Sequence, residues 1–151
     1  MDATLKLVNF KRSITKFFRD SLETGEGLVI YFNKWIPSLQ ESSKVAGSWI
    51  SINIANINMG RVSTADIVII IRTESDLEGF DSARIYDKIM KYITSDEGEK
   101  RVIEFYNTES NPWEVVGGIQ LNLREGETGV EEIDYTHISV INVQAMWGAK
   151  L

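Results

Sequence analysis

Asp66-Ile67-Val68-Ile69-Ile70-Ile71-Arg72 is the stretch on which the fold turns. Its five apolar residues are all β-branched and do not alternate with polar ones, which suits a strand covered on both faces and places it centrally in a sheet. A run this short falls far below the ~20 residues that span a bilayer.

Upstream of it, Trp49, Ser51 and Asn53 alternate with Ile50, Ile52 and Ile54, the period of a half-buried strand. Asn56 to Thr64, with Gly60 and Ser63, reads as the connection between the two. Farther back, Ser38 to Gly47 is a polar loop, and Leu28 to Phe32 is a short buried strand closed by Pro37. The chain opens on an amphipathic helix over Ala3 to Leu22. Leu7, Phe10, Ile14, Phe17 and Phe18 recur on one face, and Lys11, Arg12, Lys16 and Arg19 occupy much of the other. Glu23-Thr24-Gly25-Glu26-Gly27 breaks it.

Downstream, Ser75 or Asp76 can cap a second helix, with Ile85, Ile89, Tyr92 and Ile93 inward, Asp87 set to pair with Lys91, and Gly98 at its end. Arg101 to Tyr106 fits either a strand or a further helical turn. After Pro112-Trp113, Val115, Ile119, Leu121 and Leu123 alternate with Gln120, Asn122 and Arg124, a one-sided strand; Gly117-Gly118 inside it marks a bulge or a close backbone approach. Glu125 to Glu132 reads as an acidic loop. In the last segment, Tyr135 to Trp147, apolar residues sit at even positions (Ile138, Val140) and then at odd ones (Ile141, Val143, Ala145, Trp147). A strand cannot keep both sets on one core without an extra residue in the ladder or a change of surroundings. Either a bulge near Val140 and Ile141 or a departure of Asn142 to Trp147 toward a neighbour resolves the conflict; the alternative is a bulged strand inside the core that Trp147 closes. The expected fold is α+β, an antiparallel or mixed sheet of about five or six strands with two helices on one face, in a single domain over residues 1–151.

At 151 residues, 43% hydrophobic and 25% charged, the chain is long and apolar enough to bury one core. It has no cysteine, which removes disulfides and thiolate-bound zinc, and the first 22 residues lack the apolar core of an export signal. The expectation is a protein neither exported nor inserted in a membrane. A net charge of −6 hides a polarity: Lys6, Lys11, Arg12, Lys16 and Arg19 against Asp2 give the first nineteen residues about +4, leaving about −10 for the rest.

Catalytic chemistry finds little purchase. His137 is the single imidazole; it sits mid-strand, and no glycine-flanked serine accompanies it, so it reads as a sheet or interface histidine. One histidine without cysteine does not make a zinc site, and neither Glu131-Glu132 nor Asp96-Glu97 has the oxygen spacing of a calcium loop. Gly25-Glu26-Gly27 precedes a strand, the reverse of the order a dinucleotide site requires. No catalytic, metal or cofactor residue is therefore expected. The basic helix face admits three readings, namely a solvated surface, a dock for an acidic protein, or a phosphate contact; the sequence pI of about 4.9 argues against specific nucleic-acid binding. Tryptophans in loop and terminal positions are enriched at interfaces. The residues assigned to an assembly interface are Lys11, Arg12, Lys16, Arg19, Trp49, Trp113, His137, Met146 and Trp147.

The order of these segments runs from a basic amphipathic helix through short strands to the isoleucine-rich strand. An acidic Glu74-Ser75-Asp76 start then leads into a helix carrying Arg84-Ile85-Tyr86, and two terminal strands end in an aromatic-bearing tail. The whole chain in this respect resembles the tail-terminator proteins of long-tailed bacteriophages, the lambda type in particular. That resemblance implies a non-enzymatic virion subunit that assembles in the host cytoplasm. It forms a homo-oligomeric ring, commonly a hexamer, caps the tail tube, ends its polymerisation and meets the head-to-tail connector. Other head-to-tail joining proteins share these features. A small cytosolic enzyme with an unconventional carboxylate site and a nucleic-acid-binding module are the readings from other classes.

Overall fold

The computed structural model describes residues 2–33, 48–74, 76, 78–95, 100–133 and 136–148. Two main helices, α1 (Leu7–Phe18) and α2 (Phe80–Ile93), accompany six strands: β1 (Ile30–Phe32), β2 (Ser48–Asn58), β3 (Val62–Glu74), β4 (Lys100–Asn107), β5 (Glu114–Ile133) and β6 (Thr136–Gly148). The strands form one sheet in the order β1-β2-β3-β6-β5-β4, curled into a half-barrel. Its β1–β2 pair is parallel and every other pair is antiparallel. The fold is thus α+β with a mixed sheet, as the sequence patterns predict.

The N-terminal helix is segmented. A 3₁₀ turn over Ala3–Leu5 is capped by Asp2, whose carboxylate accepts from the Thr4 N–H at 3.0 Å. α1 follows, and a π-helical turn over Arg19–Gly25 continues it. The helix stops where Gly27 takes φ +68° and the Leu28 N–H reaches back to the Leu22 carbonyl at 2.9 Å, a conformation favourable to glycine. Phe10, Ile14, Phe18 and Leu22 are fully buried. They share one cluster with Ile85, Ile89 and Ile93 of α2 and with the odd-numbered residues of β3 and β6, so both helices cover the same sheet face.

β3 is the long central strand, held along its whole length by β6 from Val62↔Gly148 to Glu74↔Thr136. The expected connection over Asn56 to Thr64 is mostly strand, leaving only a tight turn between Asn58 and Val62. Arg101 to Tyr106 belongs to strand β4. The double glycine borders a register shift between β4 and β5, the expected bulge, and a Cβ on Gly118 would come within 2.9 Å of the side-chain methyl Val102 Cγ1. The stretch Glu125 to Glu132 is not a loop: β5 continues through it to Ile133.

The C-terminal strand needs no bulge of its own. β6 pairs with β3 without a break, and the extra residues lie opposite in β5, where the register shifts between Leu123 and Glu131. Ser139, Ile141, Val143, Ala145 and Trp147 all face the helices and are buried. Ile138 and Val140 are paired with Arg72 and Ile70 on the other side of the sheet. That second side is covered too, since Trp49, Ser51, Asn53 and Ile70 are all buried there. Two buried faces, not a change of face, explain the shift of parity. The expected departure of Asn142 to Trp147 toward a neighbour does not occur in this subunit. The expected cap at Ser75, the loop over residues 38–47, Pro37 and the helix end at Gly98 lie outside the described residues.

Candidate functional site

Along its outward face α1 presents Leu7, Val8, Lys11, Arg12, Thr15, Lys16 and Arg19, which with Asp20 and Trp113 line an open groove of about 780 Å³. Leu7, expected inward on the apolar stripe, is 40% exposed, as is Val8, and Trp113 is 42% exposed. Three large apolar side chains on one groove of a small domain form the kind of patch that usually meets another molecule.

A buried polar network builds this groove. Asn9, fully buried on α1, accepts with Oδ1 from the Thr108 N–H at 3.1 Å and the Thr108 hydroxyl at 2.8 Å, and its amide donates to the Ala3 carbonyl at 3.0 Å. Ser13 Oγ donates to the Asn9 carbonyl at 2.7 Å and accepts from the Tyr106 N–H at 2.9 Å. Helix, strand β4 and the β4–β5 loop are thereby fixed as one body, and the loop carries Trp113 to the helix, 6.0 Å from the Tyr106 ring. The Tyr106 hydroxyl is bonded to the Glu104 carboxylate, which with burial pushes its pKa up to about 12 and keeps it protonated.

The cations of this face are not equivalent. Lys16 binds Asp20 at 2.6 Å and Arg19 binds Glu23 at 3.0 Å, both one helical turn on, and Lys6 binds Glu109 at 2.6 Å. Arg19 also lies 4.9 Å from the Phe32 ring, and Lys16 lies 5.7 Å from that of Tyr106. These exposed pairs add little stability, but they neutralise their cations. Arg12 has only a long 3.4 Å contact to the Thr108 hydroxyl. Both Arg12 and Lys11 are exposed and make no ion pair among the described residues.

The structure therefore brings five of the nine expected interface residues together: Lys11, Arg12, Lys16, Arg19 and Trp113. The other four are elsewhere. Trp49 is buried on the far sheet face, with the Arg72 guanidinium 4.8 Å from its ring. His137 lies beside Gly79 at the start of α2, near Asp76. Met146 is half-buried and lines a shallow hollow with Val62, Val102 and Gly118. Trp147, expected as an exposed anchor, is a core residue: 3% exposed, stacked on Phe10 at 4.1 Å, its Nε1 donating to the Thr4 carbonyl at 2.9 Å. The residues the sequence reading missed are Leu7 and Val8 as exposed groups, and Asn9 and Thr108 as the pair that fixes the loop. An asparagine on the apolar stripe, one residue before Phe10, was the available signal.

Among the described residues no group of three or more His, Asp or Glu side chains is arranged to hold a metal, and no helix is long and apolar enough to cross a membrane. No protein-family model matches the sequence, and no curated protein matches it. A solved structure superposes with a TM-score of 0.62 over 97% of both chains, at 9% identity. At that identity the likeness shows the fold alone.

Proposed function

We propose that this chain is a structural subunit of a long-tailed bacteriophage, a tail terminator that forms a ring, caps the tail tube and meets the head-to-tail connector. The observation that carries the reading is the α1 groove. It is a surface with exposed Leu7, Val8 and Trp113 beside Lys11 and Arg12, which make no ion pair among the described residues, on a chain whose net charge is −6. A surface of this composition is suited to binding another protein. The element order that resembles the tail terminators runs through the whole chain and supplies the biological setting. A ring, commonly a hexamer, demands two different complementary patches per subunit, and a basic groove on an acidic chain is one half of such a pair.

Native mass spectrometry and negative-stain imaging of the purified chain, alone and with tail tubes, test this. Rings in either condition are the expected result, together with arrest of tube growth. A strict monomer in both, with no effect on tube length, refutes the reading.

A further inference from the structure

The groove between α1 and Trp113 asks for an occupant of mixed chemistry. Its exposed Leu7, Val8 and Trp113 call for apolar atoms, and Lys11 and Arg12, which make no ion pair among the described residues, call for carboxylates.

The start of α2 combines the two. Phe80 is 62% exposed there, and among the described residues it is the one exposed phenylalanine or tryptophan besides Trp113. Glu74 at the end of β3 and Glu78 just before the helix are both exposed, and neither makes an ion pair among the described residues, whereas Asp81 already holds Arg84 at 2.7 Å. Glu74 and Asp81 line one hollow beside this turn. The turn has a firm base, because Asp76 accepts from the Asp81 and Ser82 N–H groups, and the Ser82 and Ser139 hydroxyls meet at 3.0 Å against β6. A large aromatic side chain held out from a fixed element is the usual anchor of a protein contact.

Groove and tip lie at opposite ends of the sheet. β3 and β6 run together from Val62↔Gly148 to Glu74↔Thr136. At the first end Trp147 holds the Thr4 carbonyl just ahead of Leu7, and at the second β3 leads through Asp76 into Phe80. Between them stand the 13 residues of β3, about 40 Å of strand, so a subunit cannot fill its own groove with its own tip. Each copy therefore carries two different, complementary patches facing apart, the arrangement a head-to-tail contact requires.

The geometry points to the first turn of α2 from a second copy of this chain as the occupant of the groove, with Phe80 seated against Leu7, Val8 and Trp113 and with Glu74 and Glu78 facing Lys11 and Arg12. This contact rests on the ring-subunit reading and specifies how neighbouring subunits join.

The absence of cysteine from the chain makes a clean test available. Val8→Cys and Phe80→Cys are made as separate variants, assembled alone or mixed, with tail tubes present if the wild type needs them, and treated with a short thiol-to-thiol linker. Linked dimers are expected in the mixture and in neither variant alone. Charge reversal gives a second reading, with assembly followed by sedimentation velocity and folding by thermal melt. Lys11→Glu with Arg12→Glu, and Glu74→Lys with Glu78→Lys, should each keep a cooperative melt and need at least tenfold more protein to assemble. Their equimolar mixture should recover assembly, because every groove then meets a tip of opposite charge. The inference is overturned if the wild type assembles but the mixed cysteine variants do not link, or if Val8→Cys links to itself or to the tube protein instead. Failure of the charge-reversed mixture to assemble also overturns it. A wild type that never assembles, with or without tubes, instead refutes the ring reading beneath it.

Discussion

Trp147 and Trp113 sit at opposite ends of the scale of exposure, one 3% and the other 42% accessible, although α1 borders both. Trp147 stacks on Phe10 of the helix's inner face and satisfies its indole N–H on the Thr4 carbonyl. Trp113 stands on a loop beside the outer face, where its ring meets Tyr106 and solvent. The contrast teaches that one short helix serves two purposes. Its inner face is committed to the core, and its outer face is left open among the described residues. Sequence position does not separate such residues, since a tryptophan close to the end of a strand has the same pattern whether it closes a core or waits for a partner.

The largest expected effect breaks the comparison from the buried side. Trp147→Ala should destabilise the fold by about 3–5 kcal/mol in denaturant melts, through the cavity left against Phe10 and Phe105. A loss under about 1 kcal/mol would mean that the indole is not part of the core. Asn9→Ala sharpens the link between the two tryptophans. It strands the Thr108 N–H and hydroxyl, which should cost about 1–3 kcal/mol and loosen the loop that holds Trp113, so assembly weakens together with stability. Hydrogen exchange of the 108–113 amides provides the check.

A third probe lies away from both rings. Asp76 accepts from the Asp81 and Ser82 N–H groups at 3.1 and 2.9 Å and from the Thr73 hydroxyl at 2.9 Å, capping the first turn of α2. Burial by itself raises its pKa, but these hydrogen bonds and the nearby His137 outweigh it and hold the carboxyl below its ordinary value. A depressed carboxyl contributes stability that is present above its unfolded value, about 3.9, and lost as pH falls through the folded one. Asp76→Ala should cost about 1–2 kcal/mol at neutral pH, and the difference from wild type should shrink in strong acid. An unchanged difference at low pH would show that the cap is not the source. The smallest effect on stability belongs to the exposed ring: Trp113→Ala should shift unfolding by no more than about 0.5 kcal/mol while weakening assembly. A large loss of stability there would erase the contrast.

Much of the inner face was legible. Phe10, Ile14 and Phe18, the isoleucine-rich β3, Ile85, Ile89 and Ile93 all follow the helical or strand period, and burial enforces that period. The double glycine marked its bulge, since the register shift against β4 falls beside Gly117. What could not be read depends on tertiary neighbours. Lys91 was placed with Asp87 by helical spacing, yet it binds Glu26 at 3.0 Å, a residue brought over from the end of the first helix. Glu125 to Glu132 has loop composition and is strand because β6 supplies a template for its backbone. Of the site, the basic face of α1 and Trp113 were visible as residue types. The neutralisation of Arg19 was not, for its partner Glu23 lies past the expected helix end at Leu22, whereas that of Lys16 by Asp20 follows helical spacing within the expected helix and was missed.

The position of β6 between β3 and β5 bears on how the chain reaches this state. β3 pairs over its full length with a strand some seventy residues downstream, and Trp147 closes against Thr4 and Phe10, near the start. Contacts so distant in sequence delay folding, because the intervening loop must be ordered before they form. During synthesis the isoleucine-rich β3 therefore waits without its principal neighbour, a nascent chain at its most aggregation-prone, until residues 136–148 have left the ribosome. Since Trp147 completes the packing of Phe10, the inner face of α1 gains its full set of core contacts only after synthesis has passed residue 147.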